Sequence, residues 1–151
     1  MITIKSNREI ELMKEASKIT AETYEMLEKH IKPGISTAEL DKLAENFIKS
    51  KGGRPAQKGY PSGVRGVPDF PATLCISVND TVIHGIPSKK EILKDGDVVS
   101  IDLVVEKNGY NGDAARTFIC GEGSEEAKKL VEVTKQAFFE GLKYAKADNR
   151  I

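Results

Sequence analysis

The segment Asp97-Val-Val-Ser-Ile-Asp-Leu-Val-Val-Glu-Lys-Asn-Gly-Tyr-Asn-Gly-Asp-Ala-Ala-Arg-Thr-Phe118 decides the fold. Two β-rich runs flank Asn108-Gly109, the strongest short-range hairpin signal. Val99, Ile101, Leu103 and Val105 share one parity and form an apolar face. Val98, Ser100, Asp102 and Val104 share the other. In a two-residue hairpin centred on Asn108-Gly109, Lys107 opposes Tyr110 and Asp113 opposes Val104. Asp102 and Asp113 then project from one face as diagonal neighbours, about 7–8 Å apart at the backbone. Two carboxylates so placed repel unless they share a proton or a cation. Two divalent ions about 3.5–4 Å apart would fit between them. Two acids at a solvated sheet edge satisfy the same spacing, and a bulged turn would put them on opposite faces.

The other features bound the class. At 151 residues the chain is long enough for one domain with a core. It is 39% hydrophobic and 30% charged, which is ordinary for a globular protein. Lys plus Arg and Asp plus Glu both number 23. That balance argues against a nucleic-acid binder acting through bulk charge. No long apolar run suggests a membrane span, and Met1-Ile-Thr-Ile-Lys5 lacks the apolar centre of a signal peptide. Cys75 and Cys120 are isolated, so a reducing cytoplasm is the expected setting.

In chain order, Ser6-Asn-Arg-Glu9 and Ser36-Thr-Ala-Glu39 are capping boxes. They predict a helix with a stripe of Ile10, Met13, Ala16, Ile19, Thr23 and Leu27, and a second with Leu40, Leu43, Phe47 and Ile48. Residues 53–72 hold four of the six prolines and read as a long loop carrying Tyr60 and Phe70. A strand over 73–78 and a turn at Asn79-Asp80 predict a returning strand through His84, with Cys75 opposite His84. His84 reads either as a histidine held at the rim of the core or as a functional group at a strand end. His30 falls at a helix C-terminus, where positive charge is favourable. Gly121-Glu-Gly123 leads to a third helix with a stripe of Ala127, Leu130, Val131, Thr134, Ala137, Phe138 and Leu142. The order helix, helix, strands, helix predicts an α+β fold with an antiparallel sheet packed with helices. Ile31-Lys-Pro-Gly-Ile-Ser36 after the first helix and Ala145-Lys-Ala-Asp-Asn-Arg-Ile151 after the last suggest a faint repeat.

Lys32-Pro-Gly-Ile-Ser-Thr37, Phe70-Pro-Ala-Thr-Leu-Cys-Ile-Ser-Val-Asn79, Val82-Ile-His-Gly-Ile-Pro87, Lys94-Asp-Gly-Asp-Val-Val99, Ile101-Asp-Leu103 and Gly112-Asp113 together resemble the amino-terminal half of bacterial-type methionine aminopeptidases. The resemblance implies half of a pita-bread fold, with residues 1–151 as one catalytic half-domain ending before the second pseudo-repeat. It implies two divalent ions (Co, Mn, Fe or Zn), and a nascent peptide N-terminus from which the initiator methionine is removed. It carries metal ligation onto Asp102 and Asp113, a catalytic role onto His84, and the methionine pocket onto Tyr60, Phe70 and Cys75. It also implies three further ligands, a histidine and two glutamates, in a second half this chain does not contain. Weak metal binding and impaired turnover by the isolated chain are therefore expected. The segment between Tyr60 and Phe70 is longer than the family pattern. Two other readings stand beside the enzyme. One is a non-catalytic or self-associating half-domain, partnered by a second copy or by a carboxy-terminal half. The other is a proline-directed relative of the same fold. No nucleic-acid or membrane partner is expected.

Overall fold

Both capping boxes form and start the helices where expected. Glu9 accepts from the backbone N–H of Ser6 at 2.7 Å and Glu39 from that of Ser36 at 2.9 Å, while each serine hydroxyl accepts from the glutamate N–H. These bonds satisfy N–H groups that a helix start otherwise leaves unpaired. The computed structural model describes residues 3–150. Met1 and Ile2 of the leading segment, and Ile151 at the expected domain end, lie outside the described residues. Helix α1 spans Asn7–Glu28 and α2 spans Thr37–Ser50. Strands β1 (Arg54–Pro55), β2 (Cys75–Val78), β3 (Val98–Lys107) and β4 (Tyr110–Ile119) precede α3 (Glu125–Leu142).

The register of the β3–β4 hairpin is the expected one. Lys107 pairs with Tyr110, Val104 with Asp113 and Asp102 with Ala115. Asn108 and Gly109 both take positive φ, 53° and 81°, so no bulge slips the pairing. β4 occupies one edge of β3. The other edge is shared: β1 lies against Val105-Glu106 and β2 against Val99–Asp102, all antiparallel. β1 is a short strand inside the stretch expected to be all loop.

Burial alternates along β3. Val99, Ile101, Leu103 and Val105 are fully buried. They pack with Ile19, Tyr24, Leu27, Leu40, Ala44, Ile48, Leu74 and Ile76 into one core. Helices α1 and α2 thus cover the odd-numbered face of β3, and burial of that apolar surface is the main source of stability. The α1 stripe differs from the expected one. Thr20 and Tyr24 are buried with Ala16, Ile19, Thr23 and Leu27, whereas Ile10 is exposed. Thr20 and Tyr24 lie beside the expected stripe, and they are buried because their hydroxyls bond carbonyls of the sheet.

The segment after β2 departs from expectation. Asn79-Asp80 is a turn, but no strand follows it, and Cys75 pairs with Asp102 rather than with His84. Asn79 binds back to the start of β3, donating to Asp97 Oδ1 and accepting from Val98 N–H, both at 2.9 Å. Asn79 takes a positive φ of 50° but Asp80 does not, so the pair does not form the type I′ turn that would close a two-residue hairpin. The returning chain meets β2 at Gly85, whose carbonyl accepts from Ile76 N–H at 2.9 Å. A Cβ on Gly85 would overlap the Ile76 carbonyl oxygen, so only glycine permits this approach.

Helix α3 forms as expected, with Ser124 accepting from Ala127 N–H at 3.1 Å. None of its residues is buried. Leu130, Val133, Phe138, Phe139 and Leu142 are all more than half exposed. Ala127 and Val131 are half-buried and the helix touches β4, but the rest of its apolar stripe is left uncovered by the described residues.

Candidate functional site

The even-numbered face of β3 carries the site. Ser100, Asp102 and Val104 stand beside Thr117, Ala115 and Asp113 of β4 and beside Ser77 and Cys75 of β2. Asp102 is half-buried and Asp113 exposed. Burial pushes the Asp102 carboxyl above its ordinary range; the neighbouring Asp113 charge adds to this and His84 opposes it. That is the signature of two like charges sharing a partly desolvated face.

A cavity of about 220 Å³ opens on this face, lined by Cys75, His84, Asp102, Ser77, Val82 and Ala115 among others. It exists because the 81–86 segment crosses the outer side of β2. The Gly85 N–H donates to Ser77 Oγ at 3.2 Å, which fixes the crossing. His84, next to it, is held in the left-handed region with φ of 58°. Any residue other than glycine adopts this conformation uncommonly, and it places the exposed imidazole beside Asp102. Cys75 forms the inner wall. Burial pushes its thiol up to about 11, so it is a neutral lining group rather than a thiolate.

Of the six residues singled out from sequence, the structure gathers Cys75, His84 and Asp102 around the cavity and sets Asp113 on the same sheet face. Tyr60 and Phe70 lie apart from its lining. They face each other across the base of the 61–69 loop, where Gly59 N–H donates to the Phe70 carbonyl at 2.8 Å and Phe70 N–H to the Tyr60 carbonyl at 3.0 Å. Tyr60 is exposed and Phe70 half-buried.

Two supporting residues were missed. The Gln57 carboxamide, turned so that its nitrogen faces two carbonyls, donates to Thr73 O at 2.9 Å and Asp102 O at 3.2 Å, beside Cys75 Sγ. Asp41 of α2 accepts from the N–H groups of Thr73 and Leu74, each at 2.8 Å. Together they pin the start of β2 and the Asp102 backbone. Neither stands in a motif; only the fold brings them there.

The donor set is oxygen-only at Asp102 and Asp113, which suits divalent ions of the first transition row or harder. Among the described residues no group of three His, Cys, Asp or Glu closes into a metal cluster. The two carboxylates therefore fit such a centre in kind and supply part of it in number.

An antiparallel hairpin bearing two acids on its open face, backed by two helices, can present carboxylates to a cation. Residues 11–151 match the model of metallopeptidase family M24, and the chain belongs to that family. Within it, the chain is 53% identical over all 151 residues to the methionine aminopeptidase of Clostridium acetobutylicum, spanning 58% of that protein. It superposes on the methionine aminopeptidase of Thermotoga maritima with a TM-score of 0.89 and 38% identity, over 97% of this chain and 56% of that one. The X-Pro aminopeptidase of the same organism gives a TM-score of 0.74 at 25% identity, over 95% and 37%. The α+β fold described above is thus half of the pita-bread fold, and the chain spans little more than half the length of the two methionine aminopeptidases and 37% of the X-Pro aminopeptidase.

Proposed function

We propose that this chain is the amino-terminal catalytic half of a methionine aminopeptidase, over residues 1–151, acting on the initiator methionine of nascent polypeptides in the cytoplasm. The observation that carries the reading is the presentation of Asp102 and Asp113 on one open sheet face beside the cavity bordered by His84 and Cys75. Asp102 and Asp113 supply acceptor-only oxygens for two divalent ions (Co, Mn, Fe or Zn). Bound there, the ions would polarise the scissile carbonyl and lower the pKa of a bound water. His84 stands within the same cavity lining and donates a hydrogen bond to charge developing on the substrate. Cys75 walls the pocket for the methionine side chain, with Tyr60 and Phe70 carried by the adjoining loop. The free, buried Cys75 and Cys120 suit a reducing compartment, and no helix among the described residues is long and apolar enough to cross a membrane.

With two carboxylates alone the chain holds metal weakly and turns over poorly. The test joins this chain to the carboxy-terminal remainder of the Clostridium acetobutylicum relative. With Mn or Co, the fusion is expected to release methionine from a Met-Ala-Ser peptide, and Asp102→Asn to abolish that release. A fusion that folds, binds metal and spares Met-Ala-Ser, or that prefers a proline-containing N-terminus, would overturn the reading.

A second reading is favoured by one observation, the exposure of Leu130, Phe138, Phe139 and Leu142 along α3. An apolar stripe of that kind calls for a cover. On this reading the cover is a second copy, related by the axis that would relate the two halves, with no catalytic role. Light scattering showing a dimer that Phe138→Glu dissociates supports it, and a monomer at high concentration removes it.

A further inference from the structure

On α1, Thr20 and Tyr24 stand one turn apart, and both hydroxyls reach sheet backbone. Thr20 Oγ1 donates to the Gly112 carbonyl at 2.9 Å, with its own-helix alternative, Ala16 O, at 3.2 Å. Tyr24 Oη lies 2.9 Å from the Ile101 carbonyl oxygen and 2.6 Å from that of Ala114, and its single proton serves one at a time. The Gly112 carbonyl belongs to the peptide unit that leads into Asp113. The Ile101 carbonyl belongs to the unit that leads into Asp102. Ala114 follows Asp113 directly. Each carboxylate therefore has a helix hydroxyl on the peptide group behind it, on the opposite side of the sheet. Tyr24 is almost fully buried and Thr20 likewise. Gly112 allows the approach, because a Cβ there would overlap the α1 backbone at Ala16 and Ser17.

We propose that Thr20 and Tyr24 are positioning residues for the Asp102–Asp113 pair, setting the spacing and tilt at which β3 and β4 present the two carboxylates. This rests on the reading of the pair as metal ligands. Tyr24 Oη sits between both strands at the Asp102–Ala115 rung and donates its one proton to either carbonyl, so it sets how far apart the strands stand where the acids diverge. Thr20 fixes the β4 side alone. Burial raises the Tyr24 phenol above its ordinary value, with Asp102 and Asp113 adding to it and Arg116 opposing, so the hydroxyl is a donor at neutral pH. Removing a group that orients a metal ligand typically costs about 10–100-fold in metal affinity.

The experiment uses the 151-residue chain with Tyr24→Phe, Thr20→Val and the double variant, each of which keeps the side-chain shape. Mn2+ is titrated while paramagnetic broadening of the Asp102 and Asp113 amides is followed by NMR. The double variant is expected to need about tenfold more Mn2+ for equal broadening. Thr20→Ser is expected to match the parent. Without metal, exchange of the Leu103 and Ala114 amides is expected to quicken about tenfold in Tyr24→Phe, with the Lys107–Tyr110 end unchanged. Parent-like broadening and parent-like exchange in the double variant would overturn the positioning role. If instead Asp102→Asn with Asp113→Asn leaves the broadening as it was, the ligand reading fails. The exchange rates then still decide whether the hydroxyls set the strand pair.

Discussion

Gly112 of β4 lies against Ser17 of α1 with no room between them for a methyl group. The contact seats the helix on the sheet directly behind Asp113. Gly112→Ala must therefore push α1 away or shift β4. Overpacking against backbone costs about 1–3 kcal/mol or somewhat more. Urea denaturation is expected to show that loss with the m-value retained, and an unaltered midpoint would contradict the close approach.

Asp102 carries a charge that the fold does not favour. Its folded-state pKa is raised, so the ionised form is penalised on folding. That penalty is present above the raised pKa and vanishes as pH falls below the ordinary aspartate range. Without metal, Asp102→Asn is expected to raise the melting temperature at pH 7 and to lose its advantage below about pH 4. The gain is under about 1 kcal/mol, because the face is open to water. Thermal scans across pH, with and without Mn2+, measure it.

Glu45 shows the opposite sign. Lys49, Lys58 and Lys42 lie at 2.6, 3.0 and 3.3 Å from its carboxylate, and the first two hold its pKa down at about 2. A depressed acid contributes stability above its unfolded value, about 4.3, and loses it as pH falls towards 2. Since Lys58 belongs to the 57–60 stretch, this network ties the long loop to α2. Glu45→Gln is expected to cost about 1–2 kcal/mol at pH 7 and only a small part of that at pH 2, where the native carboxyl is about half protonated, discounted for the exposed lysines. Chemical denaturation at both pH values tests it.

His84 occupies a left-handed conformation that glycine would adopt freely. Strain relief there outweighs the added freedom of the unfolded chain, so His84→Gly is expected to stabilise the fold by about 0.5–1 kcal/mol. The same variant is expected to abolish methionine release in the extended protein. Stability rising while turnover falls would mark the histidine as placed for chemistry rather than for folding.

What could be read from the chain divides along a physical line. Capping boxes and the Asn108-Gly109 turn act locally, so Ser6, Ser36 and the pairing of Val104 with Asp113 were legible. So was the sharing of one face by Asp102 and Asp113. The return after β2 was not. It is steered by Asn79 gripping Asp97 and Val98, and by Gly85 nesting on Ile76, contacts between residues distant in sequence. Gln57, Asp41, Thr20 and Tyr24 support the site through backbone carbonyls and N–H groups, which no residue pattern announces. The α3 stripe was legible as apolar, but apolar spacing does not say whether a partner lies in the same chain.

The two backbone bonds between Gly59, Tyr60 and Phe70 close the 61–69 loop at its neck. A loop pinched at its base can change length without moving what it springs from, since closure entropy grows only with the logarithm of length. Each doubling adds about 0.6 kcal/mol. That neck makes the loop a natural insertion point. Foreign sequence, such as an affinity tag or a fluorophore acceptor, can be spliced between Ser62 and Asp69 while the frame around Cys75 and Asp102 stays where it is.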